Sequence, residues 1–280
     1  MAVTADAPLV TEGEPSLAEQ VASRRWYHTI RLSDEVTSPG WMDTEKAAPS
    51  MPWPGDLTGK RCLDVGTFDG AWAFEMERRG AGEVLAIDIL DEGRWDWPPI
   101  VDPASRAGID AQKGQGRGFA IAKRALGSNV ERRDASIYDL NPEEFGTFDL
   151  VFVGSLLLHL RDPVLALSRV ATVTDGSLIV SDALSARTTL TSPLSPTFDL
   201  DGVGRPYWWK PNLAGLRHMV KISGFRPVTR CEPFLMPPGP GHPRPPLSQA
   251  VRSRTGWELI RSSRLGDPHA RIRAVRTSEP

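Results

Sequence analysis

Between residues 60 and 184 the chain alternates two kinds of hydrophobic segment. Short, nearly continuous apolar runs occur at KRCLDV (60–65), EVLAIDI (83–89), FDLVFVGSLL (148–157) and GSLIVSDAL (176–184). Such runs predict strands buried on both faces. NVERRDA (129–135) is a more polar strand between them. AWAFEMERRG (71–80), RGFAIAKRALG (117–127) and DPVLALSRVATV (162–173) space their apolar residues as helices do. Pro163 falls in the first turn of the last, where a missing N–H costs nothing. NLAGLRHMVKISGF (212–225) is a further helix closed by Gly224, and RPVTRCEPF (226–234) and ARIRAVRT (270–277) are final strands. Strands alternating with helices predict an α/β, doubly wound parallel sheet covered on both faces.

The flanks carry other signals. Residues 1–15 are expected to be a disordered tail. SLAEQVASRR starts with Ser16 and has Glu19 three residues later, a capping box that predicts a short helix over 16–25. WYHTIRLSDEVTSPGW (26–41) mixes aromatics with turn residues and is expected to lie extended across the mouth of the domain. KAAPSMPWPGDLTG (46–59) is a Pro/Gly-rich linker. This divides the chain into a tail, a cap segment (16–59) and a main domain (60–280). Three long insertions, 90–116, 185–211 and 235–268, are candidate lids or binding loops.

Composition narrows the class. The chain has 280 residues, 40% hydrophobic and 24% charged, enough for one large globular domain with appendages. Cys62 and Cys231 lie far apart without Cys or His companions, so they are expected to be reduced and buried in a cytoplasmic protein without a metal site. The N-terminus lacks the basic start and apolar core of a signal peptide. The longest apolar run, LVFVGSLLLHL (150–160), is too short to span a membrane. The net charge of −2 gives no overall attraction to nucleic acid. From Arg205 onward, however, 14 Lys/Arg face 4 Asp/Glu, a local +10 that is either a solvated surface or a phosphate-facing patch.

The candidate chemistry begins at CLDVGTFDG (62–70). A strand, a glycine turn and a helix in succession place a ligand beyond the strand ends, where the helix N-terminus favours an anionic group. A dinucleotide loop reads G-x-G-x-x-G. Here the glycines are Gly66 and Gly70, and Phe68 stands where a middle glycine belongs. Asp64, just before the turn, would repel a pyrophosphate but suits a cationic amino group. S-adenosylmethionine has an amino group, a carboxylate and a sulfonium, and no phosphate, so it fits better than NAD. Asp88 ends the second strand, where an acid can hold both ribose hydroxyls. Asp134 ends the third and can accept from an adenine amino group. Taken singly, each of these acids is also an ordinary turn former.

CLDVGTFDG, AIDI, RDASIYDL, FDLVFVGSLLLHLRDP and GSLIVSD resemble, in order, the motifs of class I S-adenosylmethionine-dependent methyltransferases, over roughly 60–232. RRWYHTIRL, DVGTFDGAWAFEMERRGA and HLRDPVLAL further resemble a subgroup grouped with tRNA wobble-uridine (5-hydroxyuridine) methyltransferases. The resemblance implies a Rossmann-like seven-stranded, mostly parallel sheet with an antiparallel last strand. It also implies S-adenosylmethionine as cofactor. Asp64, Gly66, Thr67, Phe68 and Gly70 would then surround its amino-acid end, Asp88 and Ile89 its ribose, and Asp134 and Ala135 its adenine. Gly154 and Ser155 would face the methyl group. Phe68 is the main departure, since the common pattern has glycine there.

Methyl transfer is chiefly a matter of alignment, and a base is needed only if the acceptor must lose a proton. His159, after the fourth strand, and His28, in the N-terminal segment, are the catalytic candidates, each weighed against a structural role. His218, His242 and His269 are not singled out. Trp26, Arg161, Tyr207, Trp208, Trp209 and Lys210 are the substrate-binding candidates; the YWW cluster is either a plug that anchors a lid or a wall that stacks on a flat acceptor. Arg205 adds a cation for an acceptor phosphate or carboxylate, and Trp95 and Trp97 are expected at the rim. The expected activity is methyl transfer to an O (or N or C) atom of a small aromatic or hydroxylated molecule. The alternatives are methyl or carboxymethyl transfer to a tRNA wobble uridine, and a non-catalytic ligand-binding scaffold.

Overall fold

The computed structural model describes residues 15–201, 203–250 and 254–277. The expected disorder of residues 1–15 falls, but for Pro15, outside the described residues. The central sheet contains β1 (Arg61–Val65), β2 (Glu83–Asp88), β3 (Glu131–Asp134), β4 (Phe148–Gly154), β5 (Thr174–Ala183), β6 (Phe225–Pro227), β7 (Glu232–Met236) and β8 (Asp267–Arg276). Their order is β6-β8-β5-β4-β1-β2-β3, with β7 also against β8. β1 to β5 pair in parallel, and β8 runs antiparallel to β5, β6 and β7.

The single strand expected over 226–234 is broken into β6 and β7, so the sheet has eight strands at seven positions. The break is a bulge. The N–H groups of Val228 and Thr229 both donate to the Arg273 carbonyl, at 2.9 and 3.2 Å. Two residues then oppose one, and pairing is interrupted.

Helices α1 (Leu17–Ala22), α2 (Ala71–Arg78), α3 (Pro103–Lys113), α4 (Arg117–Leu126), α5 (Pro163–Val173), α6 (Leu213–Ile222) and α7 (Arg254–Leu265) flank or cap the sheet. Ser16 and Glu19 form the reciprocal capping box of α1. On one face, Val151, Val153, Leu178 and Val180 pack with Leu167, Val170, Leu216 and Val220 of α5 and α6. On the other, Cys62, Leu150 and Phe152 pack with Trp72, Phe74 and Phe119 of α2 and α4. Trp26, Ile30, Leu32, Met42, Met51 and Leu57 complete this second layer. The segment before β1 therefore supplies core: Trp26 is buried in it, and Tyr27, Trp41 and Trp53 pack half-buried against it. Cys62 is buried, whereas Cys231 is only half-buried, and both thiols are free.

The insertions are more ordered than their composition suggested. Residues 90–116 contain α3, started by Asp102, whose carboxylate accepts from Ser105 N–H at 2.9 Å. Within 185–211, Phe198–Leu200 pairs antiparallel with Trp209–Pro211. Among the described residues no helix is long and apolar enough to cross a membrane.

The chain fills one side of the sheet with β1, β2 and β3 and then crosses to β4 and β5. The loops leaving β1 and β4 diverge at that switch, and a crevice opens at their carboxyl ends.

Candidate functional site

One cavity occupies this crevice. Val65, Gly66, Ile87, Ile89, Ala135, Ile137, Leu156 and Leu160 line it together with Asp88, Arg94, Asp96, Ser136 and Tyr138. A mostly apolar slot with a few polar groups suits a flat ring joined to a hydroxylated part.

The end of β1 and the turn to α2 hold two buried carboxyls with different partners. Asp64 Oδ2 accepts from Thr67 Oγ1 at 2.7 Å and from Ala73 N–H at 3.2 Å. Burial raises its pKa to about 7 against the pull of these bonds. Asp69 Oδ2 accepts from the N–H groups of Tyr27, at 2.7 Å, and His28, at 3.2 Å. Its Oδ1 lies 3.6 Å from Arg24. Burial again dominates and raises the Asp69 pKa to about 6. Gly118 makes room for this carboxyl, because a Cβ there would come within 2.1 Å of Asp69 Oδ1.

Phe68, between them, has φ of +51°. A side chain in the left-handed region costs about 1–2 kcal/mol. Its ring packs 5.0 Å from Tyr27 and 6.3 Å from His28, which offsets the strain. The backbone thus keeps the conformation a glycine would adopt, while the ring ties the turn to the N-terminal segment. Gly70 caps α2 at φ of +93°, where a Cβ would come within 2.5 Å of the Phe74 ring.

Asp88 Oδ2 accepts from Phe68 N–H at 2.8 Å, and its Oδ1 pairs with Lys113 from the end of α3. Lys113 is buried, 4.2 Å from the Trp95 ring and 5.6 Å from Phe68. Desolvation lowers its pKa, and the charge of Asp88 opposes that.

At the end of β4 a second cluster forms. Ser155 Oγ lies 3.1 Å from His269 Nε2 and is close enough to the Tyr27 phenol to influence it. Asp182 Oδ2 accepts from Leu156 N–H at 2.9 Å and Leu157 N–H at 2.7 Å, which fixes the turn after Ser155. Burial raises the Asp182 pKa to about 6. His159 donates Nδ1–H to the Pro206 carbonyl at 2.7 Å and packs 5.5 Å from Tyr207. Burial lowers its pKa to about 4. Lys210 Nζ lies 4.7 Å from the Tyr207 ring, and desolvation lowers its pKa.

No family model matches the chain. It is 28% identical over 189 residues to the tRNA U34 carboxymethyltransferase of Ectopseudomonas mendocina, covering 67% of this chain and 50% of that protein. It is 32% identical over 109 residues to the ubiquinone biosynthesis O-methyltransferase of Acinetobacter baylyi, covering 39% of this chain and 37% of that protein. The chain thus spans half or less of these curated relatives. Its structure superposes with a TM-score of 0.51 on a chain of the complex between the Haloferax volcanii Trm112 methyltransferase activator and a protein assigned as a methyltransferase, at 13% identity over 86% of this chain and 91% of that one. The chain has the class I methyltransferase fold.

Within that methyltransferase fold, Gly66, Asp88, Ile89 and Ala135 all line the cavity. Asp64, Thr67, Phe68 and Gly70 form the turn beside it, and Gly154 ends β4 against Trp72. Asp134 stands outside the lining, since its Oδ1 pairs with Arg94 at 3.1 Å and it is exposed. Trp26 is in the core, 1% exposed, with its indole N–H on the Val21 carbonyl. The short strand Trp26–His28 alternates inward and outward, so Tyr27, rather than Trp26 or His28, reaches Ser155. His28 is buried, with a pKa lowered to about 3 by desolvation and no partner on Nδ1. Trp208 and Trp209 donate their indole N–H groups to the carbonyls of Asp96 and Leu160, at 2.5 and 3.1 Å. These two tryptophans anchor the loop, and Tyr207 and Lys210 are left beside His159. Arg161 is exposed, 5.8 Å from the Trp208 ring. Trp95 rims the Asp88–Lys113 pair. Sequence reasoning missed Tyr27, Asp69, Lys113, Asp182 and His269.

Proposed function

We propose that the chain is an S-adenosylmethionine-dependent methyltransferase. The observation that carries the reading is Asp64, a buried carboxyl one residue before the end of β1 with no cation within ion-pair distance among the described residues. Both of its hydrogen bonds end on Oδ2, so Oδ1 remains for a further donor. An ammonium group satisfies such a carboxyl, whereas a pyrophosphate is repelled by it. The residues fit the cofactor in other respects. Asp88 offers acceptors for ribose hydroxyls once Lys113 shares or yields them, and the slot lined by Ile89, Ala135, Ile137 and Leu160 takes an adenine. His28 Nδ1 adds a buried group without a partner near Phe68. When bound, the cofactor supplies an activated methyl group; the chain positions the acceptor and excludes water. In this reading segments 90–116, 185–211 and 235–268 are the lid insertions of a main domain over 60–280, with 16–59 as its cap segment. The two free thiols suit a cytoplasmic setting.

The acceptor reading we favour is a small hydroxylated or aromatic molecule, held between Tyr27, Tyr207 and Lys210. tRNA is the second reading, favoured by the relative that covers the larger share of the chain. The separating experiment supplies methyl-tritiated S-adenosylmethionine with either total tRNA or a small-molecule extract. Label in the small-molecule fraction supports the first reading. Label in tRNA, with binding that weakens steeply with salt, replaces it with the second.

A further inference from the structure

Ser155 and His269 are 114 residues apart in sequence and 3.1 Å apart in the structure. His269 stands on the antiparallel strand β8, opposite Ala183, and is 3% exposed. Its Nδ1 lies 3.0 Å from the Asp267 carbonyl. A carbonyl only accepts, so Nδ1 carries the proton and Nε2 keeps a lone pair. The Ser155 hydroxyl therefore donates to Nε2. Its oxygen keeps acceptor capacity for a donor on the Tyr27 side.

Ser155 also has φ of +49°, and a serine held there stores backbone strain. Asp182 maintains the conformation by binding the next two N–H groups. Ser155 directly precedes Leu156, which lines the crevice, and strain imposed on a polar side chain there points to a positioned functional group.

We propose that Ser155 and His269 form a proton relay that accepts the hydroxyl proton of the acceptor, so that the acceptor is an alcohol or phenol. The proposal rests on the methyltransferase reading. An acceptor oxygen that forms a bond to the incoming methyl carbon uses one lone pair and must lose its proton, while the electron pair of the broken carbon–sulfur bond stays on sulfur. The acceptor proton passes to Ser155 Oγ, and the original Ser155 proton passes to His269 Nε2. Serine is regenerated, and the imidazolium returns its proton to water after product leaves. Atoms and charge balance without another reactant.

The other candidates are less suited. Among the described residues no side-chain hydroxyl is hydrogen-bonded to the ring of His159, which bonds the Pro206 carbonyl and packs on Tyr207, or to that of His28, which packs against Phe68. The Tyr27 phenol is pushed upward by burial, so it stays protonated and acts as a donor. Burial lowers the His269 pKa too; the Asp267 charge opposes this and Lys210 reinforces it. The ring therefore rests neutral, and the lone pair on Nε2 that faces the Ser155 hydroxyl is what accepts.

Two measurements on the full chain test the relay. The first is NMR of protein carrying ¹⁵N-labelled histidine, near neutral pH, with His269 assigned by the signal lost in His269→Gln. Nδ1 should be protonated and Nε2 bare, and Ser155→Gly, which suits the positive φ, should shift Nε2. A protonated Nε2, or one unmoved by Ser155→Gly, overturns the relay. The second is transfer from methyl-tritiated S-adenosylmethionine to the fraction that takes label. Ser155→Gly and His269→Gln should each slow turnover about 10²-fold or more, with cofactor affinity within about twofold. The double variant should be no slower than the slower single one, and the solvent deuterium isotope effect of the wild type should vanish in both. Turnover above half of the wild-type value, losses that multiply, or a retained isotope effect overturns the relay. Absent cofactor binding by the wild type would instead be the failure of the methyltransferase reading, and the NMR result still decides the Ser155–His269 pair.

Discussion

The backbone N–H of Tyr27 donates to Asp69 Oδ2 at 2.7 Å, across 42 residues of sequence. This bond joins the segment before the sheet to the turn where the cofactor is expected, and it aims the Tyr27 phenol at Ser155. Asp69→Ala removes a buried acceptor and leaves two N–H groups and Arg24 without it. The expected loss of stability is about 3 kcal/mol, read by urea unfolding. The amides of Tyr27 and His28 should exchange with solvent much faster. Unchanged exchange at those two amides would contradict the clamp.

Phe68 sets strain against aromatic contact. Phe68→Gly relieves about 1 kcal/mol of backbone strain and loses ring contacts of similar size. Its melting temperature should therefore stay within a few degrees of wild type. Phe68→Val keeps the strain, adds β-branching and loses the ring, and should cost about 2 kcal/mol or more. A glycine variant much less stable than wild type would mean that the ring outweighs the backbone strain, and one less stable than Phe68→Val would mean that the backbone there is not strained.

Asp64 makes cofactor affinity depend on pH. Its pKa is about 7, and only the carboxylate pairs with an ammonium. Affinity should thus be highest between about pH 7 and 8, where Asp64 is ionised and the ligand's amino group is still protonated, and fall as pH drops below 7, to about tenfold weaker a unit lower. Calorimetry across that range should show the fall, with proton release on binding near pH 6. Asp64→Asn should bind weakly and with little pH dependence. A wild-type affinity that is flat from pH 5 to 8 would remove Asp64 from the ammonium.

Lys113 competes for Asp88. Replacing it by methionine keeps much of the apolar stem over Trp95 and Phe68 but frees Asp88 Oδ1 for ribose hydroxyls. Lys113→Met should bind S-adenosylmethionine several-fold more tightly and lose some thermal stability, because Asp88 is then buried without its cation. Looser binding would mean that Lys113 assists the ligand rather than excluding it.

The strands, the glycine turn and the acids at strand ends were legible because each is local. Apolar runs mark β1, β2, β4 and β5, and Asp64 and Asp88 end or nearly end theirs. The rest depends on contacts that no local pattern carries. His269 meets Ser155 only because β8 folds back beside β5. Lys113 ends a helix within 90–116, a segment read only as a long insertion although Asp102 and Pro103 are a cap and a first-turn proline. Trp26 stands among the substrate-binding candidates, yet it is buried in the core. In a three-residue strand the alternation that buries it and exposes Tyr27 to the cleft is too short to read. Asp134 fits the spacing of an adenine acceptor, but Arg94 from the same insertion takes its carboxylate.

The central claim is that the crevice binds S-adenosylmethionine. Isothermal titration of the full chain with S-adenosylmethionine, and separately with NAD, tests it most directly. The account predicts one-to-one binding of S-adenosylmethionine, weakened at least tenfold by Asp88→Ala, and no heat with NAD. Heat with NAD and none with S-adenosylmethionine would contradict it.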